Sequence, residues 1–593
     1  MLSHFRKLNT PLKSVHAYPT LNSQIDRFSS RGWNSVLAWN LWSAWADQTF
    51  LSTEERRWLE EVEPFDEWEE FALFCSHYCL VHAKTSKGEL RAVGNEMFDL
   101  RSQPGHLTMR SYECSGQRGQ RRFAAAMLLP GDEGATDRSP GIIVNTLGMG
   151  TKSRLQSCDI FSPGDNSKDR ELAFDGGGPA ARMCHSLSDL GGDYGVLLAG
   201  GRGSPSDPYR DCWIFNKKTT FWKRTHDLPA PLYRHSVTSL GQSGLALLAG
   251  GKLSATGTSG DFLLYNPTAG WVVCGIAGDT KPQVVYGAIF ASSGVSDGRK
   301  DCPRGIFAGG ICDGLIARQV LAWELDISDI KVCLQRFRLY VTGFPPGRRQ
   351  RPELTGYQKP TIRFQNLVDG NQGQQNTLER FGAVCYWDGE KYTIIGGVIR
   401  DQLLPRSLEF LHWSDVWPGL GSIKKLLVSN VTGVETTQQL PLCIGTSTIP
   451  LRDGGLVVLG GGATCFSMGT FWNKGIFSFY PAAQNNGEML PSTDTTGWIH
   501  EKTLDIVPGE SHVPVAPMLE TGATSDRQSI RTIPRVGLET AEDFSRIVRN
   551  GQPIVLDGLN LGRCVSEWNL DHLTEKVGHE RKVCTSHSFN LPP

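Results

Sequence analysis

Runs of uninterrupted apolar residues that end in a glycine pair recur along the middle of the chain. Five copies are GVLLAGG at 195–201, LALLAGG at 245–251, GIFAGG at 305–310, YTIIGG at 392–397 and LVVLGGG at 456–462, and a weaker copy, GIIVNTLGMG, ends at Gly150. The first glycines of the five pairs are 50, 59, 87 and 64 residues apart. A strand that is buried on both faces has no polar alternation, and glycine permits a turn where strands crowd an axis. The repeat therefore predicts a β-propeller with one four-stranded blade per copy.

A second set of residues recurs with the glycine pairs. The stretch WIFNKKTTFWKRTHDLPAPLYRHSVTSL contains Trp213, Trp222, Arg234 and His235, and FLLYNPTAGW ends at Trp271. Partial copies are ARMCHS, with Arg182 and His185, and ERFGAV, with Arg380. These residues resemble the repeat of the kelch family, which implies a mainly β protein with a kelch-type β-propeller of about six blades over residues 140–490. In such a propeller we expect structural roles, as bonds between blades and as turns, for Arg182, Trp222, Arg234, His235, Trp271, Arg380, Gly200, Gly201, Gly250 and Gly251.

Residues 1–92 lack the repeat of apolar runs and glycine pairs. The segment Ser52–Ala83 starts with a serine and threonine cap, is acidic early and turns apolar at FALFCSHYCLVHA, which predicts a helix that runs into a buried strand. So short a piece cannot bury a complete α/β sheet, and we therefore expect the closing part of a domain whose front is absent. The acidic run Glu60, Glu61, Glu63, Asp66, Glu67, Glu69 and Glu70 is interpreted as a solvated helix N-terminus rather than as general acids.

The remaining segments flank or interrupt the repeat. Residues 93–139 are predicted to be a connector with the first propeller strands, and residues 491–540, rich in proline, serine and threonine, a linker. The 87-residue gap holds a proline- and arginine-rich insertion, RFRLYVTGFPPGRRQRPELTGYQKPTIRF. Residues 541–593 predict a helix, a turn at Asn550 and Gly551, a strand PIVLDGL and another helix.

Composition limits the partners. Lysine plus arginine number 60 against 61 acidic residues, so a contact with nucleic acid has to be local. The fifteen cysteines form no CxxC pair, and no signal peptide or run of eighteen apolar residues occurs. We expect reduced thiols in a cytoplasmic protein, without a membrane segment or a metal site. His77 and His82 lack metal spacing and are expected to be core or edge residues.

The two ends carry resemblances of their own. HFRKLNTPLKSVHAYPTLNSQIDRFSSRGW and EVEPFDEWEEFALFCSHYCLVHA resemble the closing third of a leucine carboxyl methyltransferase-type domain, and RIVRNGQPIVLDGLNLGRCVSEWNLDHLTEKVG resembles the opening of a JmjC-type cupin. Methyltransferase, propeller and JmjC in this order resemble the tRNA wybutosine-synthesizing protein 4 family, the leucine carboxyl methyltransferase 2 homologues of fungi and animals. The resemblance implies an S-adenosylmethionine-dependent methyltransferase and methoxycarbonyltransferase that modifies the hypermodified guanosine beside the anticodon of phenylalanine tRNA.

The sequence departs from that family where the chemistry would lie. A strand, a GxG turn and a following acid, which hold the cofactor of a Rossmann-like methyltransferase, do not occur before Gly88. After Gly578 the sequence HERKVCTSHSFNLPP lacks the HxD pair of a JmjC iron site. We therefore assign no catalytic, cofactor or metal residue, place the cofactor residues upstream of Met1, and expect a truncated or misspliced gene model that is inactive alone.

Five residues are candidates for substrate contacts. Arg27 and Trp33 are assigned to the substrate face of the methyltransferase segment, against the alternative of a surface arginine and a packed tryptophan. Arg348, Arg349 and Arg351 are assigned to tRNA phosphates, against the alternative of a solvated loop. Gly148 and Gly150 belong to the propeller period rather than to a nucleotide loop.

Two other functions stay open at this point. One is a non-catalytic kelch scaffold that binds a protein or tRNA through its rim, which calorimetry with S-adenosylmethionine separates from the enzyme. The other is an oxidase-type kelch enzyme with tyrosine, histidine and cysteine ligands to a metal on the propeller axis, which metal analysis tests.

Overall fold

A computed structural model provides the fold, and it divides the chain into two compact units, residues 1–510 and 511–593. The residues that it describes are 5, 9, 10, 12, 14–62, 64–85, 105–112, 118–129, 141–162, 169–174, 177–293, 302–327, 359–367, 378–387, 391–399, 409–414, 423–427, 441–451, 455–465, 469–473, 475–481, 500–506, 533–538, 540–550, 554–558, 572, 575 and 576. Arg348, Arg349 and Arg351 lie outside these residues.

Within residues 14–62 and 64–85, four helices and a strand pair are present in the first unit. The helices are α1 (Leu21–Ser29), α2 (Leu41–Ala46), α3 (Thr53–Val62) and α4 (Trp68–Cys75). The strands Ser35–Asn40 and Cys79–Lys84 pair antiparallel as a two-stranded sheet. The second strand is largely exposed, whereas α4 buries Trp68, Ala72 and Cys75. The prediction of a helix that runs into a buried strand is thus wrong for the strand, because the apolar face of this segment lies on the helix.

Six sheets of four or five strands follow in the described part of the chain, and the fold is a β-propeller. We number them 1 to 6, and their strands are, for sheet 1, Ala125–Leu129, Ile142–Thr146, Ser157–Phe161 and Arg170–Ala173; for sheet 2, Ser186–Asp189, Val196–Ala199, Cys212–Phe215 and Trp222–Arg224; for sheet 3, Ser236–Ser239, Ala246–Ala249, Phe262–Asn266 and Gly270–Val273; for sheet 4, Ile289–Ser292, Arg304–Ala308, Val320–Asp326, Thr361–Asn366 and Gly275–Ala277; for sheet 5, Val384–Trp387, Lys391–Ile395, Glu409–Ser414 and Ile423–Leu427; and for sheet 6, Thr446–Pro450, Leu456–Gly460, Ile476–Pro481, Gly105–Tyr112 and His500–Ile506.

Short strand pairs branch from the loops of several sheets. They are Arg202–Ser204 with Asp207–Pro208, Ile311–Cys312 with Leu315–Ile316, Arg380–Phe381 with Val398–Ile399, and Gly462–Cys465 with Gly469–Trp472. First strands are neighbours from sheet 1 through sheet 5, and the first strand of sheet 6 contacts that of sheet 1. The blade count stays a prediction, because much of the chain between sheets 4, 5 and 6 lies outside the described residues.

The ring is closed by a strand from near the start of the propeller sequence. Gly105–Tyr112 inserts between Ile476–Pro481 and His500–Ile506 of sheet 6, antiparallel to both. The two ends of the repeat thereby share one hydrogen-bonded sheet, so the ring has no unpaired edge at this junction. His500–Ile506 and, in the second unit, Arg535–Gly537 are strands within residues 491–540, where the composition predicted a linker.

The apolar runs are buried on both faces, as predicted, because alternate residues face different neighbouring sheets. Val196 and Leu198 of sheet 2 belong to the core shared with sheet 1, whereas Leu197 and Ala199 belong to the core shared with sheet 3. These runs form the second strand of their sheets. Neighbouring sheets cover both faces of each such strand, which explains why it contains no polar alternation.

A belt of backbone hydrogen bonds surrounds the axis. Six equivalent residues, one before each first strand, adopt left-handed φ angles between 50° and 72°: Phe123, Cys184, Arg234, Gly287, Gly382 and Gly445. The N–H of Cys184 donates to the Phe123 carbonyl and that of Arg234 to the Cys184 carbonyl, both at 3.1 Å. The N–H groups of Gly287, Gly382 and Phe123 bond in the same way to the carbonyls of Arg234, Gly287 and Gly445. The belt therefore links neighbouring sheets independently of their side chains.

The glycine pairs form a second set of left-handed turns. Gly200, Gly201, Gly250 and Gly251 have φ angles of 55°, 97°, 63° and 102°, and the N–H of the second glycine bonds to the next sheet, as from Gly201 to the Leu232 carbonyl. In the weak copy the left-handed pair is Leu147 and Gly148, not a pair ending at Gly150. The turn is equivalent, and leucine replaces the first glycine.

The second unit has few described elements. The helix α5 spans Ala541–Asn550, and Arg535–Gly537 pairs parallel with Val555–Asp557. The predicted helix and strand are present here, while most of the predicted second helix lies outside the described residues.

Candidate functional site

One face of the propeller is covered by the helices α2, α3 and α4, residues 41–75, which we call the cap. The propeller presents two kinds of surface to it. Sheets 1 to 3 contribute the cations Arg122, Arg202, Arg234 and Lys252, and sheets 4 and 5 contribute the apolar and aromatic side chains Tyr286, Ile311, Phe381 and Val398. Several of these residues belong to equivalent antiparallel bridges of different sheets. The bridges pair Arg122 with Met149, Tyr233 with Lys252, and Tyr286 with Ile311.

The apolar half of this face packs against the cap. Trp42 and Trp68, each 1% exposed, join Ala72 and Cys75 in one core with Tyr286 and Phe381. The Nε1–H of Trp42 donates to the carbonyl of Ile399 at 2.9 Å, and that of Trp45 donates to the carbonyl of Gly314 at 2.9 Å. Burial of a large apolar side chain contributes about 1.5–3 kcal/mol, so these tryptophans anchor the cap.

The cationic half pairs with three carboxylates at the start of α4. Arg234 donates from Nε to Asp66 Oδ1 at 3.0 Å and from Nη1 to Glu69 Oε1 at 2.8 Å. Arg122 Nη1 donates to Glu70 Oε1 at 2.8 Å, and Asp66 also pairs with Arg202. The three carboxylates are at most 8% exposed. The interpretation of the acidic run as solvated is therefore wrong for Asp66, Glu69 and Glu70, since each acid has a buried arginine partner.

Arg234 lies at the centre of this contact. It occupies a left-handed position of the belt, where three of the six equivalent residues are glycine, and its guanidinium lies over the rings of Phe123 and Phe381 at 5.0 and 5.1 Å. Burial acts to lower the pKa of Arg234, but Glu69 and Asp66 raise it well above the ordinary value. The chain thus accepts an unfavourable backbone conformation in order to place a permanent cation on the axis.

The pKa of Glu70 differs from that of an ordinary carboxyl group. Burial, followed by the charge of Glu69, raises the pKa of Glu70 to about 7, against the opposing charges of Arg122 and Arg234. Burial also lowers the pKa of Lys252, which lies over the ring of Tyr286 at 4.8 Å.

Two histidines, His185 and His235, each follow a left-handed residue of the belt. Burial lowers the pKa of His185 to about 3 and that of His235 to about 4, so neither is charged near neutral pH. Within the described residues no group of three histidine, cysteine, aspartate or glutamate side chains is arranged to hold a metal ion. None of the helices in that same part of the chain has the length and apolar character needed to cross a bilayer.

The predicted propeller residues occupy two different positions. Arg182 forms a bidentate pair with Asp211 at 2.7 Å and donates to the Gly200 carbonyl, and Arg380 donates to the Gly396 carbonyl at 2.7 Å. Both stand two residues before the left-handed position of the belt, whereas Arg234 is itself that residue. The sequence pattern therefore matched Arg234 with Arg182 and Arg380, although it lies two residues further along the repeat and its partners lie in the cap.

The other predicted propeller residues lie within or between sheets. His235 Nε2 is 2.9 Å from Ser186 Oγ of the preceding sheet. Trp222 is buried against Phe174 and Phe215, and Trp271 Nε1–H donates to the His226 carbonyl at 3.2 Å.

The predicted substrate residues with described positions lie away from this contact. Arg27 is in the last turn of α1 with its guanidinium 4.8 Å from the ring centre of Tyr18, and Trp33, 37% exposed, meets Phe28 edge to face. His77 and His82 are exposed, so the expectation of core positions is wrong and that of edge positions is retained.

Sequence reasoning missed the cations that meet the cap. Arg122, Arg202 and Lys252 stand at turns of the propeller and belong to no motif. One signal was available: Glu69 and Glu70 follow Asp66 by three and four residues, the spacing of neighbours on a helix, and the aromatic residues Phe65, Trp68 and Phe71 are interspersed with them. It also missed Arg121, which bonds to Asp159 at 2.7 Å in sheet 1 as Arg182 does to Asp211 in sheet 2.

Comparisons with known proteins identify relatives along nearly the whole chain. Residues 179–475 match the family model described as tRNA wybutosine-synthesizing protein 4, beta-propeller. Proteins named tRNA wybutosine-synthesizing protein 4 from Neurospora crassa and Gibberella zeae are 44% and 37% identical, each over 98% of this chain and over 49% and 52% of their own length. The Saccharomyces cerevisiae protein of that name is 28% identical over 80% of this chain and 60% of its own length. The chain spans about half the length of the first two relatives. With half of its residues matched by the family model, the chain belongs to the tRNA wybutosine-synthesizing protein 4 family.

Proposed function

We propose that the chain functions in the synthesis of wybutosine on phenylalanine tRNA. The observation that carries the proposal is the alignment of 98% of the chain with proteins whose name states this synthesis. The reaction that we assign to the whole protein is transfer of a methyl group from S-adenosylmethionine to the guanosine side chain beside the anticodon, followed by methoxycarbonylation. We place this work in the cytoplasm.

Residues 1–92 are proposed to be the closing part of a leucine carboxyl methyltransferase-like domain. The strand pair Ser35–Asn40 and Cys79–Lys84 is too small to be stable as a separate sheet. Large apolar side chains at this pair are exposed: Leu80 of the second strand is 42% exposed, and Phe50, which meets Trp39 of the first strand edge to face, is 40% exposed. An apolar surface beside unpaired strand edges is what a larger α/β sheet would cover. Arg27 and Trp33 stay our proposed substrate contacts in this domain.

Residues 541–593 are proposed to begin a JmjC-like domain. Within the second unit, α5 exposes Phe544 and Val548, which are four residues apart on one helical face. This face would pack against the remainder of such a domain. We propose no metal for it.

The described residues of 14–85 do not fit S-adenosylmethionine. The strand Ser35–Asn40 passes directly into α2, where the Asn40 side chain caps the Ser43 N–H at 2.6 Å, and no glycine turn separates strand from helix. The buried acids of this segment, Asp66, Glu69 and Glu70, are not available to a ribose, because they already pair with propeller arginines. We therefore assign no step of methyl transfer to these residues.

The cap gives the propeller its proposed role. Because α2 and α4 are fixed to the propeller by buried tryptophans and ion pairs, any domain continuous with them has one orientation relative to the propeller. The propeller then acts as a platform that holds tRNA at a constant distance from the methyltransferase, and Arg348, Arg349 and Arg351 are our proposed phosphate contacts.

The test uses phenylalanine tRNA from Saccharomyces cerevisiae with its family member deleted, which leaves the guanosine incompletely modified. Fluorescence anisotropy should show that the purified chain prefers this tRNA to one that lacks the hypermodified guanosine. Nucleoside mass spectrometry after incubation with S-adenosylmethionine should show no added methyl group. Equal binding of the two tRNAs contradicts the function, whereas methyl transfer by the chain alone contradicts only our assignment of the cofactor site to a region outside it.

A further inference from the structure

The contact between cap and propeller contains one carboxyl group whose bonding is incomplete. Glu70 is 5% exposed; its Oε1 accepts from Arg122 Nη1 at 2.8 Å, while its Oε2 is buried without a hydrogen-bond partner. Glu69 directly precedes Glu70 in α4, and both oxygens of its carboxylate accept from Arg234, at 2.8 and 3.2 Å. A buried carboxylate oxygen that lacks a donor favours the protonated form of the group.

Charged groups in the cap and in the propeller surround Glu70, whereas the strand Gly462–Cys465, which also contacts α4, contains no charged residue. Glu69 and Asp66 precede it in the cap, and Glu60 of α3 is a half-buried acid near Lys252. From the propeller, Arg122, Arg234, Arg202 and Lys252 face this group of acids, and the nearby titratable Tyr233, Tyr286 and Cys184 are kept neutral by burial. Arg234 and Arg202 are engaged by Asp66 and Glu69, which leaves Arg122 as the counterion of Glu70.

We propose that the cap and the propeller form a pH-sensitive joint in which docking of α4 takes up a proton on Glu70. Undocked, Glu70 is an ordinary hydrated carboxyl group that ionises well below neutrality. In the docked state Glu70 loses its water, accepts a side-chain hydrogen bond from Arg122, and lies beside the carboxylate of Glu69. The cap therefore holds most tightly where both states are protonated, loosens as the pH rises to neutrality, and changes little at higher pH.

The direction follows from linkage. The docked pKa of about 7 lies above the ordinary value of 4.5, so between these values the docked state holds a proton that the undocked state releases. Stability of docking is then fully present below the lower value and is lost as the pH rises through the higher one. Between pH 6 and pH 8 the undocked fraction should increase about tenfold, since one pKa unit corresponds to a factor of ten.

Hydrogen exchange of the full chain, corrected for the intrinsic pH dependence of exchange, measures this joint at the amides of α4. We expect the opening equilibrium of the wild type to increase about tenfold from pH 6 to pH 8. Glu70→Gln, which keeps the acceptor for Arg122 but cannot ionise, should show no increase. Glu67→Gln, at an exposed acid in the same helix turn, should behave like the wild type.

Buried His185 and His235 do not provide an alternative source of this change, because burial keeps the pKa of each at about 3 and 4. If Glu70→Gln does not fold, Glu69→Gln is the second variant, and removal of its charge should move the wild-type midpoint to lower pH. A flat wild-type profile between pH 6 and pH 8 overturns the proposal. A tenfold change that persists in Glu70→Gln, or a midpoint that Glu69→Gln leaves in place, does the same.

Discussion

Replacement of Glu69 by alanine should undock the cap while the propeller stays folded. Glu69 is 3% exposed and holds Nη1 and Nη2 of Arg234 at 2.8 and 3.2 Å. The variant leaves Asp66 as the sole acidic partner of a guanidinium that is itself buried beneath the cap. Loss of one member of a buried ion pair costs about 3–5 kcal/mol, and here Arg234 and Arg202 are left to share the single carboxylate of Asp66. The undocked fraction should therefore increase by about two to four orders of magnitude.

The exposed neighbour Glu67 supplies the matched control. It stands at the N-cap of α4 without a side-chain capping bond, so Glu67→Ala removes one negative charge from the same turn without breaking an ion pair. Hydrogen exchange should show faster exchange of residues 68–75 in Glu69→Ala, unchanged exchange there in Glu67→Ala, and unchanged exchange in the strand Leu456–Gly460 in both variants.

A double variant separates the orphaned charge from lost packing. Arg234→Met removes the cation and keeps an apolar side chain between the rings of Phe123 and Phe381. In the Arg234→Met background, Glu69→Ala should cost less than about 1 kcal/mol, since no buried charge is then left unpaired. Equal costs in the two backgrounds, or equal exchange in Glu69→Ala and Glu67→Ala, would refute the ion-pair account of docking.

Three further predictions concern the propeller and its thiols. Arg121→Ala should lower stability by about 3–5 kcal/mol in thermal unfolding, because it leaves a buried carboxylate unpaired. Gly250→Ala should cost at least about 1–2 kcal/mol from its left-handed backbone alone, whereas Gly177→Ala, with open space around its Cβ, should be neutral; equal melting temperatures would contradict this. The exposed thiol of Cys79 should alkylate before that of Cys212 at pH 8, because burial raises the pKa of Cys212 to about 12; mass spectrometry that found Cys212 labelled before Cys79 would contradict this order.

The propeller was predictable because its signal is local. An apolar run without alternation, followed by two glycines, describes one strand and one turn, and the same description applies to each sheet. The sequence repeats were aligned incorrectly where a side chain has partners outside its own sheet. Arg234 resembled Arg182 in sequence, yet one lies on the axis facing the cap and the other bonds to Asp211 in its own sheet.

The cap was not predictable from the sequence because its partners are remote. Asp66 and Arg234 are 168 residues apart, and neither belongs to a motif that requires the other. Acidic residues at the start of a helix are stabilised by the helix dipole, so their presence there does not require a basic partner elsewhere in the chain. The burial of these acids became evident only when the ring placed Arg122, Arg202 and Arg234 on one face.

The cap, the strand that completes sheet 6 and a cation that pairs with the cap follow one another along the chain. The cap is followed by Gly105–Tyr112, which completes sheet 6, and then by Arg122, which pairs with Glu70. The cap cannot leave without exposing buried cations of the propeller, among them Arg202 and Arg234. Cap and propeller therefore stabilise each other, and the predicted boundary at residue 92 lies within one compact unit, residues 1–510.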